Sequence, residues 1–204
     1  MVGSSQLLLC GSWGPDAMID PEILREKVIA TFPTGGVPIH SVKNDVHEST
    51  HSGVDFTRRS FEGVQWTDVD LTQNHAQLAD ALVFLTNDAY TYYFPAFLTL
   101  LSDSQAYPHS LLIESFLQKV NARNADDWTL NFYLELGTER SEIVAMCLEF
   151  CWWRHHDGLV LLALEDYWDS FLSQEQKQAI YQSPEALQIN QKYLEITTSN
   201  RRRV

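Results

Sequence analysis

The chain has 204 residues, 45% of them hydrophobic, and a formal net charge of −13. A chain of this length forms one domain by default and buries well over half of its unfolded surface, so it needs no disulfide or metal staple. The acidic balance argues against nucleic acid or an anionic membrane as partner, and three cysteines, an odd number, make no disulfide framework and fit a reducing cytoplasm.

Residues 1–19 read as a loosely ordered arm. Leu7, Leu8 and Leu9 before Cys10 imitate a lipoprotein leader, but no lysine or arginine precedes them and the apolar run is too short. No segment approaches the roughly 18 apolar residues that a membrane span needs. Asp20 and Pro21 predict a helix start, a capping carboxylate followed by a proline at the first helical position. Ile23, Leu24, Lys27, Val28, Ile29 and Phe32 form its inner face, and Pro33-Thr34-Gly35-Gly36 ends it. Residues 37–54 read as a long polar loop with a short strand at 37–42, and 55–62 as a short helix. Asp70 or Thr72 then caps a helix that passes through Leu78, Leu82 and Val83 into the central stretch.

That stretch, residues 81–102, is the longest apolar and aromatic-dense segment and contains no lysine or arginine. Thr86 and Asn87 are good N-caps, and Asp88 sits where the helix dipole favours an anion. Ala89, Tyr92, Tyr93, Ala96, Phe97, Leu100 and Leu101 recur at helical spacing. Pro95 lies too deep for a first-turn proline and predicts a kink near 91–94 or a break into two helices. The carbonyl that it frees is the expected partner for a buried tyrosine hydroxyl.

This segment is similar to the signature of an uncharacterised bacterial family, a domain of unknown function. Leu85, Thr86, Ala89, Tyr92, Tyr93, Pro95, Ala96 and Leu98 stand where that family has Leu-Thr-x-x-Ala-x-x-Tyr-Tyr-x-Pro-Ala-x-Leu. An upstream Phe61, Gly63 and Trp66 and a downstream helix from Thr138 and Glu139 to Leu148-Glu149-Phe150 are also similar. The resemblance spans roughly residues 20–155. It implies a compact helical domain, and it implies neither an activity nor catalytic residues.

Beyond the centre, Tyr107-Pro108 breaks the chain and Ser110 opens a helix with Leu111, Leu112, Ser115, Phe116 and Val120 on one face. Residues 121–127 read as a loop. Residues 128–136 alternate like a strand, but one strand has nothing to pair with, which favours irregular or helical structure. Residues 138–156 form a largely buried helix, 159–172 a further one, and Ser173 with Gln176 predicts a capping box for the next. Ser183-Pro184-Glu185 opens a last helix to about Ile196, followed by a frayed basic tail at 197–204. The expectation is therefore mainly α: a single compact helical domain at 20–196, of about six to eight helices around a proline-kinked central one.

Few patterns bear on chemistry. His47, Glu48 and His51 fit His-Glu-x-x-His, in which two histidines one helical turn apart hold zinc and the glutamate polarises its water. Their surroundings lack the apolar face of a buried helix, the glycine of the longer pattern is displaced, and no third-ligand motif follows; a polar loop is the simpler reading, and His40 nearby adds little. Cys147 and Cys151, one turn apart with His155 a turn on, could hold a metal, although cysteine more often packs as a small apolar group. His155 and His156 beside Asp157 read as cations complementing a helix C-terminus. Trp152, Trp153, Tyr167 and Trp168 could line a pocket or fill a core. There is no phosphate loop, no Gly-x-Ser-x-Gly elbow and no Cys-x-x-Cys, so no cofactor is expected.

The charge is uneven. Between Arg59 and Lys119 there is no lysine or arginine, while Glu62, Asp68, Asp70, Asp80, Asp88, Asp103 and Glu114 are all negative. The leading expectation is a non-enzymatic, cytoplasmic module of immunity-protein or antitoxin type whose acidic face docks a basic protein. The alternatives are a zinc-dependent hydrolase built on residues 47–51, and a structural or oligomeric protein whose acidity serves solubility. Oligomeric state is not legible.

Overall fold

The computed structural model describes residues 19–43, 52–102 and 111–201. Among the described residues there are ten α-helices and no strand, more helices than the sequence predicts. They are α1 (Pro21–Thr31), α2 (Ser52–Phe61), α3 (His75–Phe84), α4 (Asn87–Ser102), α5 (Leu111–Val120), α6 (Asp127–Glu135), α7 (Gly137–His155), α8 (Gly158–Asp166), α9 (Gln174–Tyr181) and α10 (Pro184–Arg201). Short 3-10 turns at Trp66–Asp68, Ala122–Asn124 and Trp168–Phe171 join several of them. Buried side chains from Leu24 to Ala186 form one hydrophobic cluster.

Local chemistry sets most helix starts. The Asp20 carboxylate accepts from the Glu22 N–H at 2.8 Å, that of Asp126 from Thr129 at 2.8 Å, and that of Asp157 from Leu159 at 2.7 Å. Ser173 and Gln176 close the predicted capping box, with the Ser173 N–H donating to the Gln176 side chain at 2.8 Å and the Gln176 N–H to the Ser173 hydroxyl at 3.2 Å. Each satisfies donors that a first turn leaves without an intrahelical acceptor. The alternating stretch after Trp128 is helical as α6, because the aromatic positions Trp128 and Phe132, one turn apart, then share a face against the core.

Three expectations about the centre are corrected. First, Ala81–Phe84 belong to α3, and the chain breaks at Leu85 before α4 begins. Thr86 caps α4, its hydroxyl accepting from the Ala89 N–H at 3.2 Å and donating to the His40 carbonyl at 3.3 Å. The extended Leu85 pairs with Val42 in an isolated bridge, the only remnant of the strand predicted at 37–42. Second, α3 is preceded by Asn74 in the left-handed region, not capped by Asp70 or Thr72; the Asp70 carboxylate instead accepts from the Thr72 N–H at 2.9 Å in the turn before it. Third, of the two outcomes predicted at Pro95, a kink or a break, the break does not occur: α4 is one helix from Asn87 to Ser102 with Pro95 inside it. An interior proline costs about 3 kcal/mol. Burying Phe94, Phe97 and Leu98, all fully enclosed, gains about 1.5–3 kcal/mol each, so packing outweighs the local penalty. α4 packs against both α1 and α7, which also touch each other.

The tyrosine partners also differ from expectation. Tyr93 donates to the Phe61 carbonyl and lies 3.0 Å from that of Val64, while Tyr92 donates to Thr34 at 3.0 Å; these carbonyls come from other segments and not from the proline turn. Phe61 packs edge-on against Tyr93 at 4.9 Å, Gly63 takes the positive φ of +73° that turns the chain, and Trp66 donates to the Pro33 carbonyl at 2.9 Å. The Phe61, Gly63 and Trp66 spacing thus works as a clasp over the middle of α4. At the other end of the chain α10 continues as helix to Arg201, past the predicted stop near Ile196, since nothing in Thr197–Arg201 is a glycine or proline.

Candidate functional site

Six of the acidic residues singled out by the sequence fall among the described residues, on six separate segments. Glu62 follows α2, Asp68 ends the first 3-10 turn, Asp70 is in the loop before α3, Asp80 is on α3, Asp88 opens α4 and Glu114 is on α5. Asp68, Asp70, Asp80, Asp88 and Glu114 are exposed and Glu62 is half-buried. Glu62 is 3.7 Å from the Arg58 guanidinium, and hydrogen bonds from Thr72 hold the Asp70 carboxyl below its ordinary range. Asp80, Asp88 and Glu114 have no cationic partner and no hydrogen bond among the described residues. Asp103 lies outside the described residues, as do His47, Glu48 and His51.

The cysteine reading is corrected by burial. Cys147 and Cys151 are fully buried in α7, and loss of water pushes the Cys147 thiol up to about 12 and the Cys151 thiol higher still. A metal needs thiolates, and these stay protonated. His155 is pulled down to about 4, chiefly by burial and then by Arg154, so it is neutral at pH 7 and does not serve as the expected cation at the helix end. α7 is instead closed by His156, whose left-handed backbone lets its N–H reach the Trp152 carbonyl at 2.8 Å. Trp152 and Trp168 are fully buried core residues, the latter donating to the Val120 carbonyl at 2.9 Å. Among the described residues no three histidine, cysteine or carboxylate side chains gather as a metal site.

A buried polar pair between α7 and α9 is invisible in the sequence. The Gln176 amide of the α9 capping box donates to the Glu149 carboxylate at 2.6 Å. Burial raises the Glu149 carboxyl above its ordinary range, and the Gln176 hydrogen bond opposes the rise.

The sequence also misses a groove of about 610 Å³ beside α4. Asp88, Tyr92 and Pro95 give one wall, Trp128, Phe132 and Glu135 of α6 the other, and Arg140 of α7 with the turn after α1 the remainder. The α4 residues recur at i, i+4 and i+7, the α6 residues likewise, so each helix presents one stripe. Tyr90 meets Trp128 at 5.9 Å and Phe94 meets Phe132 at 5.1 Å, so the two stripes advance in the same direction. Arg140 stands over the Phe32 ring at 5.8 Å, and the Phe32 and Phe94 ring centroids are 6.3 Å apart; α6 ends at Glu135 and α7 starts at Gly137, so Arg140, in the first turn of α7, belongs to the end of the groove where α6 runs out, the Pro95 end of α4. A proline at position 95 reads only as a helix breaker until the segments around 32, 92, 128 and 140 are brought together.

No helix among the described residues is long and apolar enough to cross a membrane. No family model, curated protein or solved structure matches this chain.

Proposed function

We propose that this protein is a non-enzymatic binding module that docks a basic protein through the carboxylates of residues 62–114, in the manner of an immunity protein or antitoxin. The observation that carries this reading is the state of Asp80, Asp88 and Glu114. All three are exposed, and among the described residues none has a cationic partner or a hydrogen bond. No lysine or arginine lies between 59 and 119 in the sequence. Single exposed charges attract weakly, with a screening length of about 8 Å at physiological salt. A set of one sign works by raising the rate of encounter and rejecting acidic competitors.

The test is affinity capture from a lysate with the wild-type chain and with the triple variant D80N/D88N/E114Q, each at low and high salt. The reading expects a basic protein retained at low salt, released at high salt, and lost from the variant. Capture that ignores both salt and the substitutions would refute it. Asp88 and Glu114 lie in the first turns of α4 and α5, where each anion contributes about 0.3–1 kcal/mol through the helix dipole, so the variant should melt only a few degrees below the wild type and remain folded at the temperature of capture, which separates loss of binding from loss of fold.

A further inference from the structure

We infer that the groove between α4 and α6 is a binding site for a short peptide with free termini and an apolar central side chain. Three charged groups line it: Asp88, Glu135 and Arg140. Among the described residues none has an oppositely charged partner within 4.0 Å. Charges of both signs lining one groove without closing on each other leave a gap that a ligand carrying both signs fills.

The register sets the length of that ligand. Asp88 and Pro95 are seven residues apart on α4, about 10 Å at 1.5 Å per residue, and Arg140 stands at the Pro95 end. An extended tripeptide spans about 10 Å at 3.3–3.6 Å per residue. Its ammonium meets Asp88 and its carboxylate meets Arg140, whose forked donors suit a carboxylate. Between them the rings of Tyr92, Trp128 and Phe132 offer an apolar wall for the central side chain. Glu135, at the Arg140 end, is an acceptor for a backbone N–H of the same ligand. The volume is sufficient for a peptide of this size.

The experiment is a calorimetric titration with alanyl-phenylalanyl-alanine, its N-acetyl form and its C-terminal amide. Saturable binding of one peptide per chain is expected, with each cap weakening it roughly tenfold, the loss of one charge-assisted contact. R140Q should weaken the free peptide by the same factor and leave the amide unchanged; D88N should do the same for the acetylated form. Thermal melts confirm that both variants remain folded. No saturable binding in the millimolar range, or capped peptides that bind as well as the free one, would overturn the inference. This site does not depend on the acidic docking surface, although Asp88 belongs to both: D80N and E114Q should leave peptide binding unchanged, whatever they do to capture of a protein partner.

Discussion

The middle of α4 and the junction of α7 with α9 are both buried, and they are held by opposite means. Around α4 the contacts are aromatic. Phe94 meets Phe116 at 5.7 Å, Phe132 at 5.1 Å and Phe32 at 6.3 Å, and the polar demand there is met by tyrosine hydroxyls on backbone carbonyls. At the α7–α9 junction a carboxylate is enclosed, and its companion is a neutral amide. Dispersion and apolar burial do not change with pH, whereas an enclosed carboxylate does. The comparison teaches that one core has two kinds of sensitivity: volume at α4, protonation at α9.

The largest effect expected is at α4. Phe94→Ala should destabilise the protein by about 3–5 kcal/mol, the range for emptying a large buried aromatic site, read as a lower midpoint in urea with the slope unchanged. Tyr93→Phe keeps the ring but removes the hydroxyl from the Phe61 and Val64 carbonyls; the Phe61 carbonyl keeps the Val64 N–H at 3.1 Å, so about 1 kcal/mol is expected, the net contribution of one hydrogen bond. An unchanged midpoint in Tyr93→Phe would show that water replaces the hydroxyl and that the clasp over α4 is not closed.

Glu149→Gln addresses the junction. The folded-state carboxyl titrates above its ordinary 4.5, so the native state binds more protons than the unfolded chain once the pH exceeds that value. The penalty is therefore absent below 4.5 and grows as pH rises through the folded value. Glutamine keeps an oxygen for the Gln176 amide and carries no charge. The variant should melt a few degrees higher than wild type at pH 7, about 2–4 °C per kcal/mol for a chain of this size, and should lose that advantage below pH 4.5. A gain that persists unchanged at pH 4 would point to packing and away from the carboxylate. The smallest effect is expected on the outer face of α6. Leu134 is 62% exposed, and Leu134→Lys should alter stability by no more than about 0.5 kcal/mol, measured by thermal melting beside Phe94→Ala as the reference.

What could be read from the chain, and what could not, divides by distance along it. Asp20 with Pro21, Thr86 and Ser173 with Gln176 act on groups within three residues of themselves, and capping is a local hydrogen bond, so these helix starts were legible. The apolar periodicity of residues 87–102 and 138–156 was equally plain, and it was enough to assign a mainly helical fold. The alternation at 128–136 was ambiguous because period alone does not separate a strand from a helix when aromatic residues fall at both spacings. The acidic residues could be named, but that Asp80, Asp88 and Glu114 are exposed and without an ion-pair or hydrogen-bond partner among the described residues could not.

The amino-acid sequence by itself determined that this chain is acidic and helical, and where most of its helices begin, because those properties arise from composition and from neighbours within one turn. Only the tertiary structure decided that Tyr93 would lean on carbonyls 29 and 32 residues away, that Cys147 and Cys151 would be silenced by burial, and that Asp88, Glu135 and Arg140 would share one groove. Those outcomes depend on which side chains exclude water from which others, and that is set when distant segments pack.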